Sequence, residues 1–153
     1  MTYSIDTSGI LRGWRRSYPP SIFASLWDDI ALLISEGELR ATDRVKAELE
    51  RKDDEVLEWS DGQAGFFVPL DDAIQLAASK IIESHPRLLD SRPGRSGADP
   101  FVIALAEIHG CTVVTDEAAT NSTKRPNIPD VCRARNVRCI GLLDLFRECS
   151  WKY

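Results

Sequence analysis

Residues 97–117 run GADPFVIALAEIHGCTVVTDE. The middle of this stretch is apolar, yet carboxylates stand at both ends: Asp99 in front, Asp116 and Glu117 behind. Asp99–Pro100 reads as a helix N-cap followed by a first-turn proline, whose missing N–H and fixed φ suit that place. FVIALAEIHG continues the helix, and Gly110 is placed to end it in the left-handed conformation. CTVVT is a continuous, β-branched apolar run of the kind that parallel sheets bury on both faces. A buried helix feeding directly into a buried strand is half of a βαβ unit, which points to the α/β class.

The flanking sequence alternates in the same way. YSID at 3–6 is a short β-prone run ending in an acid, and a polar, basic loop is expected from there to Pro19–Pro20. SIFASLWDDIALLISEG places Ile22, Phe23, Leu26, Ile30, Leu33 and Ile34 at helical spacing, with Gly37 as the stop. ELRAT suits a brief strand, DRVKAELERKDDEVLEWSDG a polar helix, and GFFVPL a loop or short extended piece. DDAIQLAASKIIESH is an amphipathic helix turning Ile74, Ala77, Ala78, Ile81 and Ile82 inward. PRLLDSRPGRSGA links it to the opening segment. Beyond that segment IPDVCRARN suits a short helix, VRCIGL a strand and LLDLFRE a last helix. Strands alternating with helices predict a central, mainly parallel sheet covered on both faces, in one domain over 1–153. No internal repeat or low-complexity segment interrupts it.

The 153 residues, 43% hydrophobic and 28% charged, suffice for one full core without covalent staples. No apolar run has the length of a membrane span. The N-terminus, MTYSIDTSGILRGW, lacks a basic region and an apolar core of signal-peptide type, so a cytoplasmic protein without membrane contact is expected. Cys111, Cys132, Cys139 and Cys149 form no C-x-x-C pairs, which disfavours structural zinc; the first three lie among apolar residues and read as small hydrophobes. The net charge of −5 hides a polarity: residues 28–72 hold fourteen acids and five bases, while 124–138 hold five bases and one acid. RGWRR at 12–16 is purely basic.

In an open α/β sheet the chemistry gathers outside the carboxyl ends of the strands. Asp6 ends the first strand, Asp116 and Glu117 end CTVVT, and Asp99 opens the helix that leads into CTVVT. These acids are therefore expected at one rim. Singly each has a structural alternative: Asp6 in an Asx turn, Asp99 as an N-cap, Asp116–Glu117 as a solvated strand exit. Jointly they repel one another, and a hard divalent cation, Mg²⁺ or Mn²⁺, is the natural partner for such a cluster. Glu48 lies beside the apolar seam marked by Val45 and Leu49, whereas Glu50 projects about 160° away on an ideal helix. Glu48 is thus either a further member of the cluster or a surface residue. No G-x-G-x-x-G follows a strand, and no lysine follows RCIGL, which argues against a dinucleotide binder and a phospho-acceptor receiver.

Four pieces together resemble the PIN-domain nucleases, and among them the VapC-like toxin ribonucleases. YSIDTSGIL is similar to the family's first strand with its D-T/S-S signature. VKAELE resembles its V-x-x-E-L, pointing to Glu48. GADPFVIALAEIHGCTVV is similar to its A-D-x-x-I-A-x-A helix, small-residue turn and apolar strand. VVTDE resembles its T-x-D, with Glu117 at the final acid position and Asp116 in the variable middle place as a rival.

The resemblance implies a three-layer α/β/α PIN-like fold and a metal-dependent endoribonuclease, the toxin of a type II toxin–antitoxin pair. It implies Asp6, Glu48, Asp99 and Glu117 as catalytic acids around one or two Mg²⁺ or Mn²⁺ ions. Asp6, Asp99 and Glu117, with Asp116 as the rival, are the metal ligands in that scheme. Thr7, Ser8 and Thr115 would support carboxylates or waters, or serve only local turns, and Asp130 would join them or cap a helix. Arg12, Arg15, Arg16, Lys124 and Arg125 would contact RNA phosphates, with Trp14 and Tyr18 stacking on bases; the same groups also suit a protein-binding patch. An antitoxin protein and a homodimer are the implied partners. The alternative is a non-catalytic PIN-like module that binds RNA or protein.

Overall fold

The computed structural model describes residues 1–89 and 97–153. Its centre is a five-stranded sheet, all parallel, in the order β3-β2-β1-β4-β5. The strands are β1 (Tyr3–Ile5), β2 (Leu39–Thr42), β3 (Phe67–Val68), β4 (Thr112–Val114) and β5 (Cys139–Ile140). β1 sits in the middle, its three residues buried, with Tyr3 opposite Leu39 on one side and Thr112 on the other. Alternation along β1 sends successive side chains to opposite faces. Ser4 meets α6 (Asp99–His109), donating its hydroxyl to the Val102 carbonyl at 2.9 Å. Ile5 faces the other way, toward Trp27 and Ile30 of α2 (Ala24–Ser35) and Leu142 and Leu145 of α8 (Leu142–Glu148). Helices thus cover both faces, the three-layer α/β/α arrangement with a parallel sheet that the sequence led us to expect. No helix among the described residues is long and apolar enough to cross a membrane.

Several expectations are corrected. The polar, basic loop after β1 is helical: α1 (Thr7–Arg12) runs into a π-helical turn over Gly13–Ser17. Asp6 starts it by accepting the Gly9 amide, the capping interaction that short polar side chains make at helix starts. The turn also carries Trp14 inward to a cluster with Trp27 and Trp59, centroids 4.9 and 5.6 Å away. The polar helix over 43–62 is two helices, α3 (Asp43–Lys52) and α4 (Asp54–Asp61). Asp53 breaks it with an extended backbone (φ −159°), and its carboxylate caps α4 by accepting the amides of Glu55 and Val56, each at 3.1 Å. Ile22 precedes α2 and is 74% exposed instead of buried.

The expected helix over DDAIQLAASKIIESH is α5 (Asp72–Ser84), burying Ile74, Ala77, Ala78 and Ile81 and half-burying Ile82. In the linking stretch Pro86–Leu89 forms a 3-10 turn, and residues 90–96 lie outside the described residues. Asp99 is one place further into its helix than an N-cap: Ala98 holds that position and Pro100 follows within the first turn. Gly110 ends α6 at φ +66°, the left-handed conformation expected of it. IPDVCRARN gives α7 (Ile128–Ala134).

Candidate functional site

The strand order reverses between β1 and β4, which is where open α/β sheets form a crevice beyond their carboxyl ends. Asp6 leaves β1 there, its amide donating to the Val114 carbonyl at 3.0 Å. Its carboxylate is 2% exposed and fully engaged. Oδ1 accepts the Gly9 amide at 2.7 Å, Oδ2 accepts the Thr115 hydroxyl at 2.5 Å, and the Ser8 hydroxyl lies 2.9–3.0 Å from both oxygens. Thr115 and Ser8 then accept the amides of Glu117 (3.0 Å) and Asp116 (3.1 Å). The exit of β4 is thus tied to Asp6 through two hydroxyls. Ser8 and Thr115 therefore do more than serve local turns.

β2 delivers α3 to the same rim. Glu48, on its inner face, is 2% exposed; Glu50 is exposed, as the helical projection requires. Glu48 Oε1 accepts the Ala98 amide at 3.1 Å, while Oε2 is buried with no hydrogen-bond partner among the described residues. The buried Thr7 hydroxyl likewise has no partner among the described residues. Asp99 is 7% exposed, and Glu117, half-buried, accepts the Ile128 amide at 3.0 Å. Asp6, Glu48, Asp99 and Glu117 line one cleft of about 160 Å³ together with Thr7, Ser8, Leu11, Arg12 and Lys52. Burial, reinforced by the charge of Glu117, pushes the Asp6 pKa up to about 7 against the opposing hydrogen bonds of Thr115, Gly9 and Ser8.

The remaining candidates fall elsewhere. Asp116 is exposed, is not part of the cleft lining, and pairs with Arg12 at 3.1 Å. Asp130 takes the helix-cap role: at the third position of α7 it accepts the amide of the N-cap residue Asn127, and also the amides of Thr120 and Asn121 and the Thr120 hydroxyl of the preceding loop. Burial opposes its ionisation, but those hydrogen bonds prevail and hold its pKa down at about 2. Arg15 makes a two-pronged bridge to Asp53 (2.5 and 2.7 Å) and reaches Glu55 at 3.1 Å. Arg16, Lys124 and Arg125 are exposed and outside the cleft lining. Trp14 is buried and Tyr18 packs edge-on against Phe23 and Phe146, so these two rings serve the core instead of offering faces to bases.

Lys52 and Leu11 were not singled out from the sequence. The signal for Lys52 was available, since it stands four residues after Glu48 on the same helix face. A larger hollow of about 390 Å³, lined by His85, Arg87, Thr123 and Asp130 among others, lies near the end of α5. Its one carboxylate is spent on the α7 cap and the preceding loop, so the acid chemistry belongs to the smaller cleft.

Among the described residues no three acidic, histidine or cysteine side chains are grouped tightly enough to hold one ion as they stand. The donor set nevertheless suits a hard cation. All four groups are carboxylates, Glu48 Oε2 is a buried acceptor without a donor among the described residues, and Asp6 resists ionisation where it lies. A cation in the cleft would satisfy both.

Over residues 3–153 the sequence matches a family described as a domain of unknown function, DUF4411. No curated protein matches it. Among solved structures the chain is similar to the crystal structure of FitAcB from Neisseria gonorrhoeae. The two share 18% identity and a TM-score of 0.53, covering 91% of this chain and 96% of that one. At that identity the likeness speaks for the fold alone, and it agrees with the architecture described above.

Proposed function

The chain belongs to the DUF4411 family, and on that premise we propose that it is a PIN-like, metal-dependent endoribonuclease, the toxin of a toxin–antitoxin pair. The observation that carries this is a pair of buried carboxylates in one cleft: Glu48 with an oxygen that has no partner among the described residues, and Asp6 with a pKa pushed up to about 7 despite its hydrogen bonds. Such groups cost stability unless a cation or a proton answers them. The fold likeness to FitAcB supports the PIN-like reading.

Asp6, Asp99, Glu48 and Glu117 would hold Mg²⁺ or Mn²⁺. The bound ion would supply a Lewis acid and an activated water for phosphodiester hydrolysis. Thr115 and Ser8 fix the Asp6 carboxylate through their hydroxyls, and Ala98 and Ile128 fix one oxygen each of Glu48 and Glu117 through their amides. Arg12, at the cleft wall, would meet a phosphate of the RNA. His85 and His109 stand outside the cleft lining, so no imidazole base enters this scheme. An antitoxin protein would cover the cleft, and the chain would pair as a homodimer, which sedimentation tests directly.

RNA cleavage by the purified protein with Mg²⁺, Mn²⁺ or EDTA, beside Asp99→Asn, tests the reading. Metal-dependent cleavage lost in a folded Asp99→Asn supports it. The ungrouped state of the carboxylates favours one competitor, a non-catalytic PIN-like module. RNA binding without cleavage, together with no heat of Mn²⁺ binding, would establish that instead.

A further inference from the structure

Four carboxylates line the cleft, and a polyanion approaches them only if cations stand among them. Among the described residues two line it, Arg12 on α1 and Lys52 at the end of α3. They are held differently. Arg12 is tethered to Asp116 at 3.1 Å in an exposed pair, with about 45% of each side chain open to solvent. Such pairs are weak and exchange readily for a stronger anion. Lys52 is exposed and forms no hydrogen bond or ion pair among the described residues.

Arg51 beside it is likewise without a described contact but lies outside the cleft lining, and the other bases nearby are engaged. Asp53 next to it is occupied by Arg15, Lys46 bridges to Asp61 at 2.9 Å, and Arg44 lies 4.8 Å over the Phe101 ring. Every other nearby base with a described contact has a structural task, and Lys52 has only the cleft. It stands one helical turn from Glu48, about 6 Å along the helix axis. Lys52 thus shares the cleft lining with the four acids.

Resting on the nuclease reading, we propose that Lys52 and Arg12 form a two-point phosphate clamp. It lays a single RNA strand across the cleft, with Lys52 holding the phosphate next to the one that is cleaved. The occupant of the clamp is a chain of at least two phosphodiesters. A mononucleotide or an isolated phosphate monoester would engage only one end.

Binding of a single-stranded RNA oligonucleotide, followed by fluorescence anisotropy in Ca²⁺ over a KCl series, tests the clamp on wild type, Lys52→Met and Lys52→Arg. Lys52→Met is expected to weaken binding about five- to tenfold at low salt, and to flatten the slope of log K against log salt by about 0.7. Lys52→Arg is expected to keep both. An RNA with a neutral methylphosphonate at the linkage flanking the mapped cleavage point should weaken wild type by the same factor and Lys52→Met no further.

Equal affinity and slope for wild type and Lys52→Met would overturn the clamp, as would a neutral linkage that weakens Lys52→Met as much as wild type. If wild type cleaves RNA and Lys52→Met is indistinguishable from it, the clamp alone falls. If wild type neither binds nor cleaves RNA, the nuclease reading falls with it. Lys52 is exposed, and circular dichroism of the variant checks that folding is untouched.

Discussion

Asp6→Asn should make the metal-free protein more stable at neutral pH, by an amount that follows from the burial of one carboxylate. In the folded chain Asp6 has a pKa of about 7 against an ordinary 3.8. Between those two pH values the native state binds a proton that the unfolded chain has released, so stability falls as pH rises through that window. Roughly three pKa units at about 1.4 kcal/mol each make the loss about 4 kcal/mol, complete above pH 7. Asparagine keeps an oxygen for the Gly9 amide and carries no charge to bury; the Thr115 and Ser8 hydroxyls can rotate to accept from its amide.

Any fixed cost of that rearrangement is the same at every pH. The stability difference between variant and wild type should therefore grow by about 4 kcal/mol from pH 4 to pH 8 in EDTA, equivalent to roughly 10 °C in Tm for a chain of this size. Urea unfolding at five pH values measures it. Millimolar Mg²⁺ at pH 8 should then raise wild type toward the variant, because a cation answers the ionised carboxylate. A difference that stays flat from pH 4 to pH 8 would refute the reasoning.

Glu117→Gln should lower RNA cleavage by roughly two orders of magnitude, while Asp116→Asn leaves the turnover within about threefold and changes KM through Arg12. The opposite ranking in a steady-state assay would exchange their roles. Arg15→Ala should lower Tm slightly, since it unbridges Asp53, yet leave the salt dependence of RNA binding unchanged; an altered slope would return Arg15 to the RNA path. Asp130→Asn should cost about 2 kcal/mol, discounted for solvent screening, at pH values above the carboxylate range. Its lowered pKa stabilises the fold above the ordinary value near 4, and the benefit disappears as pH falls toward 2, so acid titration of wild type and variant should converge there.

The apolar periodicity of 97–117 and the β-branched runs were enough to place a buried parallel sheet, because burial on both faces leaves a composition signal that survives without coordinates. The order of acids along the chain was enough to bring Asp6, Asp99 and Glu117 to one rim, because strand ends in this class share a side; Glu48, inside α3, stayed open between rim and surface until the family resemblance pointed to it. Side-chain partners were not legible in the same way. Arg15 looked like a phosphate contact and is taken by Asp53, a residue 38 positions away. Trp14 looked free within a basic run, but a single π-helical turn rotates it into the core. Asp130 stayed open between the cleft and a helix cap, and it caps: at the third position of α7 it accepts the Asn127 amide, together with the Thr120 amide from the preceding loop. Each of these depends on tertiary contact or local backbone winding, which residue type and spacing alone do not encode.

The tryptophan cluster gives the chain a built-in optical reporter. Trp14, Trp27 and Trp59 stand with ring centroids 4.9–5.6 Å apart, while the fourth, Trp151, stacks on Phe146. Indoles this close couple their excited states, so their near-ultraviolet dichroism is sensitive to small changes in mutual angle. Trp14 follows directly on the helix that Asp6 caps. Asp6 and the three-indole cluster thus stand at opposite ends of one short helix, and a change in near-ultraviolet dichroism on adding Mg²⁺ is the expected optical readout of cleft occupancy.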